Sequence, residues 1–285
     1  MLDSILTIAR EAGQKILTHY AKDIPIDHKA DDSPLTQADL AAHHHILKAL
    51  TALNPDIPVV SEEGELPDPA TLGPSFWVVD PLDGTKEFIH QRGSFTVNIA
   101  LVENGVPVLG VVHAPALDET YHAAKGQGAF HTSGNNSPTP IHAAVAGTSS
   151  PSPSKEHPVT PPQSTIHKEP GTAPQPLRIV ASRDHAGPEV SALLARFPDA
   201  TCLSIGSSLK FCLVAAGRAD AYLRDVPTME WDTAAAQAIL LEAGGILVQW
   251  PDLTPLPYAK PTWRNGPILA TSSPALARKL KAPGK

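Results

Sequence analysis

The residues with the clearest chemical potential in this 285-residue chain lie in one stretch, Trp77-Val78-Val79-Asp80-Pro81-Leu82-Asp83-Gly84-Thr85-Lys86-Glu87-Phe88. The apolar run before Asp80 predicts a buried strand, and an acid stands where that strand is expected to stop. Pro81 withholds a ladder hydrogen bond, and a second acid, Asp83, follows close behind. Gly84 permits a tight turn, and Thr85 offers a hydroxyl and an N–H where a helix could begin. Carboxylates held at a strand end, beside free backbone donors, suit hard divalent cations and a phosphate together. The same residue types also build ordinary turns, so the remaining acids must decide between the two readings.

Val59-Val60 predicts a short strand that runs into Ser61-Glu62-Glu63-Gly64-Glu65, which repeats the pattern of acids at a strand end. A solvated acidic loop is the competing reading. In Glu230-Trp231-Asp232-Thr233-Ala234-Ala235, Asp232 is placed to cap an alanine-rich helix that ends at Gly244-Gly245. Thr36 is placed to cap a helix running to about Leu53, with Asp39 in its first turn, and capping alone accounts for both residues. Gly206-Ser207-Ser208 opens another helix, striped by Leu209, Cys212, Leu213 and Ala216. Amides and hydroxyls at such a start can hold an anion or simply cap the helix. His43-His44-His45 resembles a metal tract, but successive helical residues point about 100° apart and cannot share an ion. Most of that tract is expected on an exposed helix face.

The bulk numbers exclude several classes. A formal net charge of −7 argues against a nucleic-acid backbone binder, which needs a basic face. A hydrophobic fraction of 42% is that of a globular protein with a large core. Cys202 and Cys212 make no disulfide framework and read as thiols of a reducing compartment. No stretch has the apolar length of a membrane span, and Met1-Leu2-Asp3 does not begin a signal peptide. A soluble, cytoplasmic protein is expected.

The elements that must position these residues can be laid out in order. Residues 2–21 predict an amphipathic helix. Phe95 to Val102 and Val106 to Val112 predict a hairpin turning at Glu103-Asn104-Gly105. Tyr121 to Ala124 and Ala129-Phe130 predict a second hairpin, and such antiparallel pairing argues against a simple doubly wound fold. Composition changes near Ser133, and the Pro/Ser-rich stretch to Pro176 is expected to be an insertion, flexible from Ser149 onward. It would divide an N-terminal half, 1–132, from a C-terminal half, 177–285. The latter is expected to hold strands at Leu177–Ser182, Ala219–Leu223, Ile246–Val248 and Pro267–Ala270, with helices from Val190 to Phe197 and Pro274 to Leu280.

The Asp80-Pro81-Leu82-Asp83-Gly84-Thr85 box and the Trp231-Asp232-Thr233-Ala234-Ala235 box occur in the order found in the lithium-sensitive, magnesium-dependent phosphatases. The chain therefore resembles the superfamily that includes inositol monophosphatase and fructose-1,6-bisphosphatase, over nearly all its length except the Ser133 to Pro176 region. Within it the chain looks most like the 3'(2'),5'-bisphosphate nucleotidases of the bacterial CysQ type. That finer likeness rests on Ser33 to Asp39, Ser61-Glu62-Glu63, Asp83 to Ile89, Phe95 to Ala100, Ser182-Arg183-Asp184-His185 and Gly206 to Cys212. Inositol monophosphatases usually read Thr-Asn-Phe where this chain has Lys86-Glu87-Phe88.

The resemblance implies a layered α/β (α+β) sandwich of alternating helix and sheet layers, with the site between the two halves. It implies that Glu62, Asp80, Asp83, Asp232 and the carbonyl of Leu82 hold two or three Mg²⁺ ions. Thr85 and Asp39 would be a catalytic dyad that orients and deprotonates a water. Glu62, Gly84, Thr85, Ser182, Ser207, Ser208, Lys210 and Asp232 would contact the substrate, a nucleotide bisphosphate. The reaction implied is hydrolysis of adenosine 3',5'-bisphosphate to AMP and phosphate, linked to sulfate assimilation, with inositol or sugar phosphates as the rival substrates and a non-catalytic phosphate-binding protein as a more distant one. A monomer or homodimer is expected, without a nucleic-acid partner. Some relatives associate peripherally with the inner membrane, although this chain shows no basic amphipathic anchor.

Overall fold

A computed structural model describes residues 1–20, 27–28, 34–143, 176–181 and 187–281. The chain opens with α1 (Leu2–Thr18), whose Ile5, Ile8, Ala9, Ala12 and Ile16 face inward at helical spacing. A short antiparallel pair, β1 (Asp27–His28) and β2 (Pro34–Leu35), leads into α2 (Gln37–Leu53). A seven-stranded sheet follows, formed by β3 (Val59–Ser61), β4 (Ser75–Asp83), β5 (Thr96–Glu103), β6 (Val106–Ala114), β7 (Glu119–Ala124), β8 (Ala129–Ser133) and β9 (Thr139–Ile141) in sequential order. Only the β3–β4 pairing is parallel in that sheet. The short helix α3 (Thr85–Ile89) connects β4 to β5. Asn104 and Gly105 take positive φ values of 50° and 75°, and this turn sets the β5–β6 register as the sequence predicts.

The second half contains β10 (Arg178–Ala181), α4 (Pro188–Arg196), β11 (Thr201–Ser204), α5 (Leu209–Ala215), β12 (Ala221–Arg224) and β13 (Thr228–Met229). It continues with α6 (Ala234–Glu242), β14 (Ile246–Gln249), β15 (Arg264–Asn265), β16 (Ile268–Thr271) and α7 (Pro274–Lys281). Five of these strands form a mixed sheet in the order β11-β10-β12-β16-β14.

Side-chain alternation along the strands sorts these elements into layers. One face of the seven-stranded sheet carries Trp77, Val79, Ile99, Leu101 and Val111 and packs on α1 and α2. Its other face, with Val78, Ala100, Val102 and Val112, packs on α5 and α6, which in turn meet Tyr222, Leu247 and Ala270 of the second sheet. The far side of that sheet, through Ile179, Leu223 and Leu269, is covered by α4 and α7. Helix α6 is enclosed by both sheets, which explains its composition. Ala234, Ala235, Ala236 and Ala238 are all buried and let the helix lie close to its neighbours. The expected alternation of helix and sheet layers is the observed architecture.

Two expectations need correction. Strand β4 does not stop at Asp80 but runs to Asp83. Asp80 pairs with Asn98 and Asp83 with Thr96, so Pro81 and Leu82 fill a bulge opposite Val97. The bulge accommodates the proline and re-aims the following acid. The Pro/Ser-rich stretch likewise does not begin at Ser133. Strand β9 returns along β8, pairing Ile141 with Ala129, and Ala143 N–H donates to Ala243 O at 2.8 Å. A short edge strand needs only one buried apolar residue, here Ile141, so composition conceals it. Residues 144–175 lie outside the described residues. No described helix is long and apolar enough to cross a membrane.

Candidate active site

Glu62, Asp80 and Asp232 converge from three elements, each offering an oxygen within 4.8 Å of the others. Glu62 follows β3, and its N–H donates to Val79 O at 3.1 Å, which places it beside β4. Asp80 is 1% exposed, and its Oδ1 accepts from Leu82 N–H at 3.0 Å across the bulge. Asp232 corrects its predicted role. Its Oδ2 accepts from Met229 N–H at 2.7 Å, so the carboxylate faces back along the chain instead of capping α6. The reason lies in the turn before the helix, where Asp232 N–H and Thr233 N–H donate to Met229 O and Glu230 O. Fully buried Glu230 holds this region by pairing with Lys260 Nζ at 2.7 Å and accepting from the N–H groups of Ala259 and Lys260.

Burial, and then the charges of Asp83 and Glu62, push the Asp232 carboxyl up to about 8. Met229 N–H and Arg224 oppose this rise. A buried carboxylate beside other acids, all hard oxygen donors, fits a divalent cation, whose charge would offset both the burial and the repulsion.

Asp83, the other acid of the bulged strand, stands outside that close group. Its Oδ2 accepts from Ser208 N–H at 2.5 Å and from Ser208 Oγ–H at 2.6 Å. Gly84 follows in the left-handed region (φ 89°) and starts α3, and a Cβ there would lie 3.4 Å from Ser207 Cβ. Thr85 opens that helix as predicted. Its Oγ1 lies 3.4 Å from both Asp39 Oδ1 and Leu82 O, so the expected dyad pair and the Leu82 carbonyl are neighbours.

Asp39 is fixed by a capping box. Thr36 N–H and Oγ1–H donate to Asp39 Oδ2 at 2.8 and 2.6 Å, leaving Oδ1 turned towards Thr85. Capping and chemistry are therefore served by different oxygens of one carboxylate. The histidine tract divides. His43 is buried at 7% exposure, against the expectation for most of the tract, and its Nδ1 lies 2.9 Å from Ser61 Oγ. His44 is exposed and His45 half-buried.

The Gly-Ser-Ser turn is also less open than its sequence suggests. Ser207 and Ser208 are 8% and 2% exposed, and the N–H of Ser208 is committed to Asp83. Lys210 is buried. Its Nζ donates to Ser207 O at 2.9 Å and sits 5.7 Å from the centre of the Tyr222 ring. Ser182 lies outside the described residues.

Two residues of this region were missed in the sequence. Arg224, at the end of β12, hydrogen-bonds Tyr222 and interacts with Asp232 and Asp83. Burial lowers its guanidinium pKa, but Tyr222 and those carboxylates outweigh it, and the net shift is upward. A cation at the carboxyl end of a parallel strand is a usable signal, because open α/β sheets bind ligands there. Asn98, opposite Asp80, gave no such signal and sits inside an apolar strand pattern.

The described region is matched over its length by known proteins. The inositol monophosphatase family model matches residues 1–282. The 3'(2'),5'-bisphosphate nucleotidase CysQ of Salmonella typhimurium is 42% identical over 257 residues, covering 88% of this chain and 91% of that protein. The crystal structure of CysQ from Bacteroides thetaiotaomicron, a bacterial member of the inositol monophosphatase family, has a TM-score of 0.75 at 37% identity, covering 95% of this chain and 96% of that one. The Thermotoga maritima IMPase has the same TM-score, 0.75, at 24% identity over 98% and 95% of the two chains, a likeness of fold. With both acid boxes converging in this fold, the chain belongs to the inositol monophosphatase family, and within it to the CysQ group.

Proposed function

We propose that the protein is a Mg²⁺-dependent phosphomonoesterase that hydrolyses adenosine 3',5'-bisphosphate to AMP and phosphate, and that also accepts the corresponding phosphosulfate. The observation that carries this reading is the pairing of opposite charges at one place. The Asp232 carboxylate, grouped with Glu62 and Asp80, interacts with the Arg224 guanidinium, and Arg224 hydrogen-bonds Tyr222, whose ring centre lies 5.7 Å from the buried Lys210 ammonium. Acids that hold cations for one phosphate, with fixed cations for another, suit a substrate bearing two phosphates. The Salmonella typhimurium relative is named a 3'(2'),5'-bisphosphate nucleotidase, which supports that substrate class.

Glu62, Asp80 and Asp232, with Asp83 and the Leu82 carbonyl beside them, would hold two or three ions. Bound divalent cations supply Lewis-acid polarisation of the phosphoryl oxygens and lower the pKa of water. Asp39 Oδ1 draws on the Thr85 hydroxyl proton, so that Thr85 Oγ1 accepts a proton from the attacking water. The water oxygen bonds to phosphorus as the bond to the ribose 3'-oxygen breaks, and that oxygen takes up a proton. Gly84 and Thr85, at the start of α3, lie where backbone N–H groups can meet the phosphoryl oxygens. Lys210 and Arg224 orient the retained phosphate, with Ser182 and Ser207 as further contacts. The 3.4 Å between Thr85 Oγ1 and Asp39 Oδ1 leaves room for the dyad to tighten when substrate binds.

The test is phosphate release with Mg²⁺ from adenosine 3',5'-bisphosphate and from inositol 1-phosphate at equal concentration, with Asp83→Asn alongside. A nucleotide preference, with activity in the variant reduced by roughly 10³-fold or more, is expected. Preference for inositol phosphate would overturn the substrate, and metal-independent release would overturn the mechanism.

A further inference from the structure

We propose that Asn98 is a positioning residue for Asp83, acting through the hydroxyl of Ser208; this rests on the metal-dependent reading above. Asn98 is 1% exposed on β5, directly opposite Asp80. Its Nδ2 donates to Ser208 Oγ at 2.8 Å and lies 3.4 Å from Asp83 Oδ2. Its Oδ1 has no hydrogen-bond partner among the described residues. The opposite amide orientation would set that oxygen against the Asp83 carboxylate, so the neighbouring charge selects the orientation seen. An orphaned buried amide oxygen is destabilising, which packing alone does not explain, because an apolar residue would fill the site without that cost.

The role becomes clear at Ser208. Its hydroxyl has one proton and two acceptors in reach, Asp83 Oδ2 at 2.6 Å and Asp232 O at 2.9 Å. Donation from Asn98 fixes the direction of the hydroxyl's acceptor side, and the charged oxygen then takes the proton in preference to the carbonyl. Asp83 Oδ2 thereby receives both donors of Ser208, N–H and O–H, and is anchored across the boundary between the two halves. With Oδ2 so held, Oδ1 would be the oxygen left to take part in holding a cation. Ser208 is thus a support for a metal ligand, not a contact to substrate, and Asn98 sets its direction. Groups that orient metal ligands from behind typically change metal affinity by about 10–100-fold when removed.

Calorimetric titration of Mg²⁺ into the metal-free protein reads this directly, without turnover. Asn98→Ala and Ser208→Ala are each expected to weaken binding about tenfold, and the double variant about as much as Ser208→Ala alone, because Asn98 acts through Ser208. At saturating Mg²⁺, KM for the nucleotide is expected to stay at its wild-type value in Asn98→Ala. Wild-type affinity in Asn98→Ala, or additive losses in the double variant, would overturn the proposal. Should Asn98→Ala fail to fold, Ser208→Ala with wild-type Mg²⁺ affinity and a raised nucleotide KM would overturn it, and restore Ser208 as a substrate contact. A wild-type protein that binds no Mg²⁺ would overturn the metal reading itself, a distinct result.

Discussion

On the outer face of the seven-stranded sheet a helix gives way to a strand; on the inner face a strand gives way to a helix. At Gly13 of α1, an added Cβ would lie 2.8 Å from the ring of His113 and 2.9 Å from Pro115 Cβ. At Gly110 of β6 it would lie 2.1 Å from the carbonyl oxygen of Ala235 in α6. The outer obstacle is made of side chains under a helix whose other side is in solvent, with Arg10 and Glu11 exposed. The inner one is backbone, in a helix enclosed by two sheets. The inner layer therefore has no direction in which to move. That rigidity matters for the site, because Asp232 stands just before α6 and β4 carries Asp80 at the edge of its bulge. The outer layer contributes Asp39 on α2, fixed by its own capping box and so less dependent on close packing.

Substitutions on the two faces test this difference. The largest effect is expected for Gly110→Ala. Backbone must separate from backbone, costing on the order of 4 kcal/mol of stability and lowering Tm by roughly 8–16 °C. Urea unfolding of the variant would show it, and a near-wild-type midpoint would mean the inner layer is more compliant than its geometry implies.

A somewhat smaller effect is expected from pH on the outer face. Burial, then Arg10 on α1, lowers the His113 pKa to about 4, while Asp118 and a backbone hydrogen bond at Glu119 oppose the shift. The unfolded chain binds the proton near pH 6.5, so between that pH and about 4 it holds more protons than the native state. His113 stabilisation is thus present above pH 6.5 and lost as pH falls towards 4, up to about 3 kcal/mol in all. His122, on the same face and also lowered by burial and Arg10, acts in the same direction. Unfolding at pH 7 and pH 4.5 should show a smaller pH dependence in His113→Asn than in the wild type. The smallest effect is expected for Gly13→Ala. A helix-propensity gain of about 1 kcal/mol partly offsets the contact with His113, for a net loss of about 1 kcal/mol. A loss as large as that of Gly110→Ala would erase the distinction between the faces.

Local rules accounted for much of this. Thr36 and Asp39 announce α2 through a capping box, Asn104-Gly105 announces a hairpin, and the alanines after Asp232 announce a helix, because caps, turns and helices are settled within a few residues. The acid boxes were legible for the same reason, as acids beside small residues at element ends. The bulge at Pro81-Leu82 was not, since a strand can end or bulge at a proline and the partner strand chooses. Nor was the backward turn of Asp232, which depends on how Met229 to Thr233 fold before the helix.

The sequence by itself determined which elements form and which residues could bind a cation or a phosphate, because periodicity, capping and charge are written locally. Tertiary structure decided which of those residues meet. Asn98 lies 110 residues from Ser208, and Asp83 lies 125 residues from it. Such contacts have no sequence spacing to betray them. They exist because two sheets are held at a fixed distance by the buried helices between them, and only that packing turns a serine that looks open to anions into the support of an aspartate.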